Sequence, residues 1–178
     1  MPIITRYKYL RAAVIHTAKQ DVRFYLCGVY LGDGFISATD GHRMIMIKDD
    51  IYGLGLIIPR DTILSLIKKL GTRRDHELSI EIKDDGFGLI SCAGEFEYFR
   101  FIDGKFPDVK RVDFSEPTEP VACWNIYNAS YVKDFEKSLH ILQGNPHSAP
   151  MLKPRDESSA IYVCLTDTAH GVLMPMRM

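Results

Sequence analysis

Helix-like and strand-like patterns of apolar residues alternate three times along the chain. The first cycle opens with YKYLRAAVIHTAKQD, from Tyr7 to Asp21. Its apolar stripe at helical spacing consists of Leu10, Ala13, Val14 and Thr17. The stretches RFYLCGVYLG, GFISAT and HRMIMIK follow, alternate between apolar and polar residues, and are separated by Gly and Asp residues typical of hairpin turns. This cycle predicts one helix followed by about three antiparallel strands.

The second and third cycles repeat this plan with little sequence identity. The second begins at LIIPRDTILSLIKKL and continues with LSIEIKD, GLISCAG and EFEYFRFIDG. The third begins at IYNASYVKDFEKSLHIL, crosses the predicted loop QGNPHSAPMLKPRDESS, and ends with AIYVCLTD and GVLMPMRM. The inner stripe of its helix is Tyr131, Val132, Phe135, Leu139 and Leu142. The chain is therefore predicted to be α+β, built from three equivalent half-domains of a helix plus antiparallel strands.

Two segments stand out from this pattern. FSEPTEP, from Phe114 to Pro120, interrupts it with two prolines and two glutamates, which predicts a boundary between segments 1–115 and 116–178. The final stretch, Gly171 to Met178, is almost wholly apolar, and apolar residues at a terminus are stabilising only when something packs on them. We therefore expect the final stretch to cover the core or to offer a surface to a partner.

Composition narrows the possible functions. Of the 178 residues, 46% are hydrophobic, which is enough for a real core, and the net charge is −1. A nearly neutral chain is not held on nucleic acid by bulk charge, although a local basic face remains open. The cysteines Cys27, Cys92, Cys123 and Cys164 are scattered, which favours reduced thiols over a metal site. No leader or membrane span is apparent, so we expect a soluble cytoplasmic protein without a cofactor or metal.

The stretch ATDGHRM, from Ala38 to Met44, allows two interpretations. Asp40 and His42 could form an acid–base pair or contribute to a metal site, but no third ligand or nucleophile stands at a recognised spacing. The simpler interpretation is a tight Asp-Gly hairpin with side chains on alternate faces.

Basic residues lie on each predicted helix. They are Lys8, Arg11 and Lys19 on the first, Lys68 and Lys69 with the following Arg73 and Arg74 on the second, and Lys133 and Lys137 on the third. Such residues most often form a solvated face, and Asp134 and Glu136 weaken the cationic character of the third helix.

Six stretches together resemble a known family. QDVRFYLCGVYL, ISATDGHRM, IIPRDTILSLIKKL, FIDGKFPDVKRV, NASYVKDF and VLMPMRM occur in the order found in the bacterial DNA polymerase III beta subunit, the beta sliding clamp family. The resemblance assigns segment 1–115 to a complete clamp domain, like the family's middle domain. It assigns segment 116–178 to the C-terminal half of the third domain. The chain thus resembles a shortened clamp.

The resemblance implies a DNA clamp fold, with sheets outside and helices on the inner face of a ring that tethers a polymerase to double-stranded DNA without catalysis. DNA contacts would be weak and independent of sequence. The implied DNA-facing residues are Lys68 and Lys69, followed by Arg11, Arg73 and Lys133.

The resemblance also implies a pocket for linear peptides of polymerases and other clamp-binding proteins, anchored by leucine or phenylalanine. The matching positions in the first segment are Arg23, Tyr25, Leu26, Thr39, Gly41, His42, Arg43, Met44, Pro107, Arg111 and Val112. Those in the second are Asn128, Tyr131, Val172, Leu173, Met174, Pro175, Met176, Arg177 and Met178.

Three functions remain open at this point. The first is a sliding clamp that forms a homo-oligomeric ring, as a tetramer or a trimer, with a clamp loader as a further candidate partner. The second is a non-encircling mimic or regulator that captures clamp-binding peptides. The third is an unrelated enzyme using Asp40 and His42. A ring would need new subunit contacts, for which an unpaired sheet edge near Ala160 to Thr166 is expected to serve.

Overall fold

A computed structural model describes residues 2–72, 75–83, 86–119, 126–156 and 159–176. The helices are α1 (Tyr7–Ala13), α2 (Arg60–Leu70), α3 (Val109–Val112) and α4 (Ala129–Gln143). The strands are β1 (Ile3–Arg6), β2 (Gly28–Gly32), β3 (Phe35–Thr39), β4 (Arg43–Lys48), β5 (Leu56–Pro59), β6 (Glu77–Ile82), β7 (Phe87–Cys92), β8 (Glu95–Arg100), β9 (Met151–Lys153), β10 (Ile161–Thr166) and β11 (Ala169–Leu173). Mixed helices and antiparallel sheets confirm the predicted α+β class.

The first two units repeat one plan, and each provides a strand to the other. Strands β2 to β4 follow α1, and β6 to β8 follow α2. β1 precedes α1 but pairs with β6, whereas β5 precedes α2 but pairs with β2. The resulting strand orders are β1-β6-β7-β8 and β5-β2-β3-β4. β4 and β8 therefore occupy equivalent positions at the ends of their units.

The third unit extends the first unit's sheet. β11 pairs antiparallel with β4, with Val172 opposite Met44 and Gly171 opposite Ile45. The sheet then has the order β5-β2-β3-β4-β11-β10-β9. Segments 1–115 and 116–178 thus share one sheet. The boundary near residue 115 stays a prediction.

The helices α1 and α4 pack beside each other over this sheet. Leu10, Phe135 and Leu139 are fully or almost fully buried in the main core. His16 is also buried, and its Nε2 lies 2.9 Å from Oγ of Ser138, which in turn donates to the carbonyl of Ala12. A Cβ atom at Gly171 would lie only 2.2 Å from the Phe135 ring. The close approach of β11 to α4 therefore requires glycine at this position.

Three sequence-based expectations need correction. The residues Phe24–Leu26 form a 3-10 turn rather than the start of a strand, because Asp21 accepts from the backbone N–H of Arg23 and the chain turns locally. The helix predicted to reach Asp21 ends as α1 at Ala13, followed by another 3-10 turn.

The edge expected at Ala160 to Thr166 is not open. β10 occupies this segment and pairs with β11 on one side and β9 on the other. The short strand β9 formed within the predicted loop, which is why β10 lies inside the sheet.

Candidate functional site

A pocket of about 250 Å³ lies near the junction of β4 and β11. It combines residues from four parts of the chain that are far apart in sequence. The lining residues are Arg23, Tyr25, Leu26, Thr39, Gly41, His42, Arg43, Met44, Pro107, Val112, Val172 and Met174. Apolar surface predominates in the lining, with a few polar groups at defined positions, which is the usual character of a binding pocket.

The turn between β3 and β4 forms one wall of the pocket. Oδ1 of Asp40 accepts hydrogen bonds from the backbone N–H groups of His42 and Arg43. Thr39 Oγ1 accepts from the N–H of Gly41 and donates to the carbonyl of Arg43. Gly41 has φ of 92°, in the left-handed region that favours glycine. The geometry supports the hairpin interpretation of Asp40, whose carboxylate fixes the turn.

Arg43 is buried and forms structural ion pairs, so it is not a cation available to a ligand. Its Nε lies 3.0 Å from Oδ2 of Asp40, and its NH1 lies 2.8 Å from Oδ2 of Asp134 on α4. The guanidinium also donates to the carbonyl of Ile15 and lies 4.4 Å from the centre of the Tyr131 ring. These contacts hold the hairpin against α4 and so fix the shape of the pocket wall.

The positive charges of Arg43 and Lys137 are balanced by the carboxylates of Asp40 and Asp134. Burial would raise the pKa of Asp134, but hydrogen bonds from Lys137 and Arg43 outweigh it and lower that pKa below its ordinary value. At the pocket rim, side-chain and backbone hydrogen bonds from Arg23 lower the pKa of Asp21 to about 2. Both carboxylates are therefore ionised at neutral pH.

The end of β11 and the residues after it form the opposite wall. Val172 and Leu173 are buried, and Leu173 belongs to the main core. The N–H of Met174 donates to the carbonyl of His42 at 2.9 Å, and the N–H of Met176 donates to the carbonyl of Ile126. The side chains of Met174 and Met176 are nevertheless 52% and 53% exposed. The apolar C-terminal stretch thus covers the core at its start and presents methionines to solvent further on.

Every lining residue belongs to the set that the resemblance implied, but several members of that set lie outside the pocket. Tyr131 stacks on the His42 ring with centroids 6.2 Å apart, and Asn128 caps α4 through the N–H of Ser130. Arg111 lines a neighbouring groove, and Pro175 and Met176 lie further along the tail. Arg177 and Met178 lie outside the described residues.

The sequence did not indicate how the pocket floor is supported. Phe106 is buried and stacks on Tyr30 with centroids 4.7 Å apart and planes 8° apart. It belongs to a small second core with Met44 and Val172, directly beside Pro107 in the chain. The available signal was a single aromatic residue within GKFPD, too little to identify a stacking partner 76 positions earlier.

The proposed DNA-facing residues differ in exposure. Lys68 and Lys133 are exposed on α2 and α4. Lys69 is partly engaged, because its Nζ lies 3.0 Å from Glu97 and donates to the carbonyl of Phe96. The interpretation of Arg11 as a solvent-facing cation is corrected, because its side chain is buried beside the Tyr7 ring. Arg73 lies outside the described residues.

Two features are absent from the part of the chain that the structure describes. No three His, Cys, Asp or Glu side chains there are grouped as metal ligands. No helix there combines the length and apolar character that a membrane crossing requires.

Comparison with known proteins identifies the class. The family model described as DNA polymerase III beta subunit, central domain, matches residues 7–108. This chain belongs to the DNA polymerase III beta subunit family. The match confirms the family resemblance inferred from the sequence. The division of the chain into segments 1–115 and 116–178 stays a prediction.

Particular relatives are beta sliding clamps. The beta sliding clamp of Proteus mirabilis is 30% identical over 130 residues, which are 68% of this chain and 35% of that protein. That of Pseudomonas aeruginosa is 38% identical over 105 residues, or 53% of this chain and 28% of that protein. The chain thus spans about a third of the length of these curated relatives.

Solved structures agree on the fold. A crystal structure of the DNA polymerase sliding clamp from Pseudomonas aeruginosa with ligand has a TM-score of 0.72 at 21% identity. The likeness covers 99% of this chain and 67% of that chain. The predicted clamp fold is therefore confirmed.

Proposed function

We propose that this chain is a sliding-clamp-like processivity factor that binds short linear peptides of DNA polymerases and other clamp-binding proteins. The observation that carries the proposal is the pocket at the β4–β11 junction, with its rigid hairpin on one side and the exposed Met174 on the other. The pocket volume suits one or two apolar side chains rather than a folded partner.

The chemistry of the lining supports this role. Met44 and Met174 are unbranched and polarizable, so they adapt to anchors of different shape. Each buried leucine or phenylalanine anchor contributes roughly 1.5–3 kcal/mol before ordering costs. Two anchors contribute roughly 3–6 kcal/mol of the about 8 kcal/mol that micromolar affinity requires, so we expect contacts of the peptide backbone and flanking side chains to supply the rest. Micromolar affinity suits exchange between partners.

We further propose that several copies assemble into a ring around double-stranded DNA. Three half-domains per chain favour a tetramer over a trimer, since a full-length clamp ring of the family holds twelve half-domains. Lys68 and Lys133 supply exposed cations for weak backbone contacts. A clamp loader is a further candidate partner.

One observation favours the alternative of a non-encircling regulator that captures clamp-binding peptides. Of the proposed DNA-facing residues that the structure describes, Arg11 is buried and Lys69 is paired with Glu97. Few free cations then remain for DNA, whereas peptide capture needs only the pocket.

Two measurements test the proposal. A fluorescent peptide with adjacent leucine and phenylalanine is expected to bind with micromolar affinity by anisotropy, and the same peptide with both anchors changed to serine is expected not to bind. Equal binding of both peptides would refute the pocket assignment. Retention on nicked circular DNA, and release after linearisation, would distinguish a ring from a regulator.

A further inference from the structure

The outer edge of β8 lacks a strand partner in the part of the chain that the structure describes. β4 and β8 are equivalent strands of the first two units, and β4 is covered by β11. One of two equivalent edges is thus paired within the chain. The other is open along β8 itself, and just beyond β8 the N–H of Ile102 donates to the carbonyl of Ile57 on β5.

This open edge has the properties of an interaction surface. β8 has six residues without proline, and the side chains of Phe96 and Tyr98 are 56% and 67% exposed. The other edge strands of the described sheets are shorter. β1 and β5 have four residues each, and β9 has three between two prolines. Half of the residues of β8 are charged, so the edge is not apolar overall, but its length and its exposed aromatic side chains make it a template for another strand.

The hydrogen-bonding pattern shows which backbone groups are available. Phe101 N–H donates to the carbonyl of Gly86, which continues the β7–β8 register into the turn. Because hydrogen-bonding direction alternates along a strand, residues two apart from Phe101 bond to β7, and those between them point outward. The outward backbone groups belong to Phe96, Tyr98 and Arg100. The bond from Lys69 Nζ to the Phe96 carbonyl agrees with this direction.

We propose that β8 pairs antiparallel with β8 of a second copy of this chain, about a two-fold axis at Tyr98. This register places Phe96 opposite Arg100 of the second copy and Tyr98 opposite its own equivalent. Arginine beside an aromatic ring is a favourable cation–π pair. The pairing joins two four-stranded sheets into one of eight strands, with about six new backbone hydrogen bonds.

The competing symmetric register is less favourable. An axis at Glu97 would place two carboxylates directly opposite each other, and like charges at opposed positions are destabilising. The register at Tyr98 instead places Glu97 opposite Phe99, so that no like charges face each other. The Phe96 carbonyl already accepts from Lys69, and its second lone pair remains available to an N–H of the second strand.

This inference rests on the self-association within the proposed function, but not on peptide or DNA binding. It assigns one subunit interface. A closed ring would need a second interface elsewhere on each chain.

The first test compares masses in solution by light scattering. Tyr98→Pro removes an outward N–H while leaving the β7 ladder intact, so we expect the mass of the assembly to fall by half or more. Tyr98→Thr keeps the N–H and is expected to retain the wild-type mass. An unchanged mass in Tyr98→Pro would overturn this interface alone. A monomeric wild-type chain would overturn both the interface and the proposed self-association.

A second test detects the pairing directly, and it remains informative if Tyr98→Pro fails to fold. In the proposed register, Cα atoms at position 98 lie about 5.5 Å apart, within disulfide range. Those at position 96 lie about 14 Å apart. Mild oxidation should therefore cross-link Tyr98→Cys, but neither Phe96→Cys nor the wild type with its native cysteines. Cross-linking of Phe96→Cys alone, or of neither variant, would overturn the proposed pairing.

Discussion

Replacing Arg43 with methionine tests whether the pocket wall depends on the buried ion pairs of this residue. The Arg43 side chain is 6% exposed, and its acceptors Asp40 and Asp134 are 15% and 20% exposed. Methionine keeps the apolar stem but removes every donor, so both carboxylates lose their guanidinium partner. Lys137→Met is the matched control, because Lys137 bonds the same Asp134 at 2.7 Å from a side chain that is 53% exposed.

The two changes should differ in magnitude. Removing one member of a buried pair costs roughly 3–5 kcal/mol, and the residual solvation of both carboxylates reduces this here to about 2–3 kcal/mol. The exposed pair should cost under about 1 kcal/mol. Urea unfolding measures both, and peptide anisotropy is expected to show at least a tenfold weaker affinity for Arg43→Met, because the hairpin loses its anchor. Equal free energies of unfolding for the two variants would refute this reasoning.

Three other predictions concern the tail, the core and pH. Deleting Met174 to Met178 should abolish peptide binding while circular dichroism stays near wild type, and unchanged affinity would contradict the pocket assignment. Gly171→Ala should lower the free energy of unfolding by about 1–3 kcal/mol, because its Cβ would overlap Phe135; a neutral result in urea unfolding would argue against the close contact. Burial, together with nearby Arg43, lowers the pKa of His16 well below 6.5 in the folded protein, so the unfolded state binds more protons below that pH. The free energy of unfolding should therefore fall by roughly 1 kcal/mol per pH unit below pH 6.5. When the free energies of unfolding at about pH 5 and about pH 7 are compared, this contribution should be absent in His16→Gln.

The repeated units of a helix plus antiparallel strands could be predicted from the sequence, because the spacing of apolar residues within each short segment encodes them. The stripe from Leu10 to Thr17 is buried along its length, as its spacing required. The Asp-Gly turn before Arg43 likewise follows from short-range chemistry, since Asp40 bonds backbone groups only two and three residues away.

Long-range pairing could not be predicted in the same way. β11 could have paired with any open edge of matching pattern, and its pairing with β4 is accompanied by the ion pair that joins Arg43 of β4 to Asp134 of α4. The burial of Arg11 was equally hard to predict from the sequence. It depends on the neighbouring Tyr7 ring and on helix α4, not on the position of Arg11 along α1. The pocket residues were found through the family resemblance, whereas the contact between Arg43 and Asp134 required the structure.

Methyl NMR of the methionines during titration with the leucine–phenylalanine peptide tests the central claim most directly. Met44 and Met174 line the pocket, whereas Met151 is exposed on β9 and does not line it. We predict saturable shifts at Met44 and Met174 with no change at Met151. Shifts at Met151 without shifts at Met44 and Met174, or no shifts at any of the three, would contradict peptide binding at the β4–β11 junction.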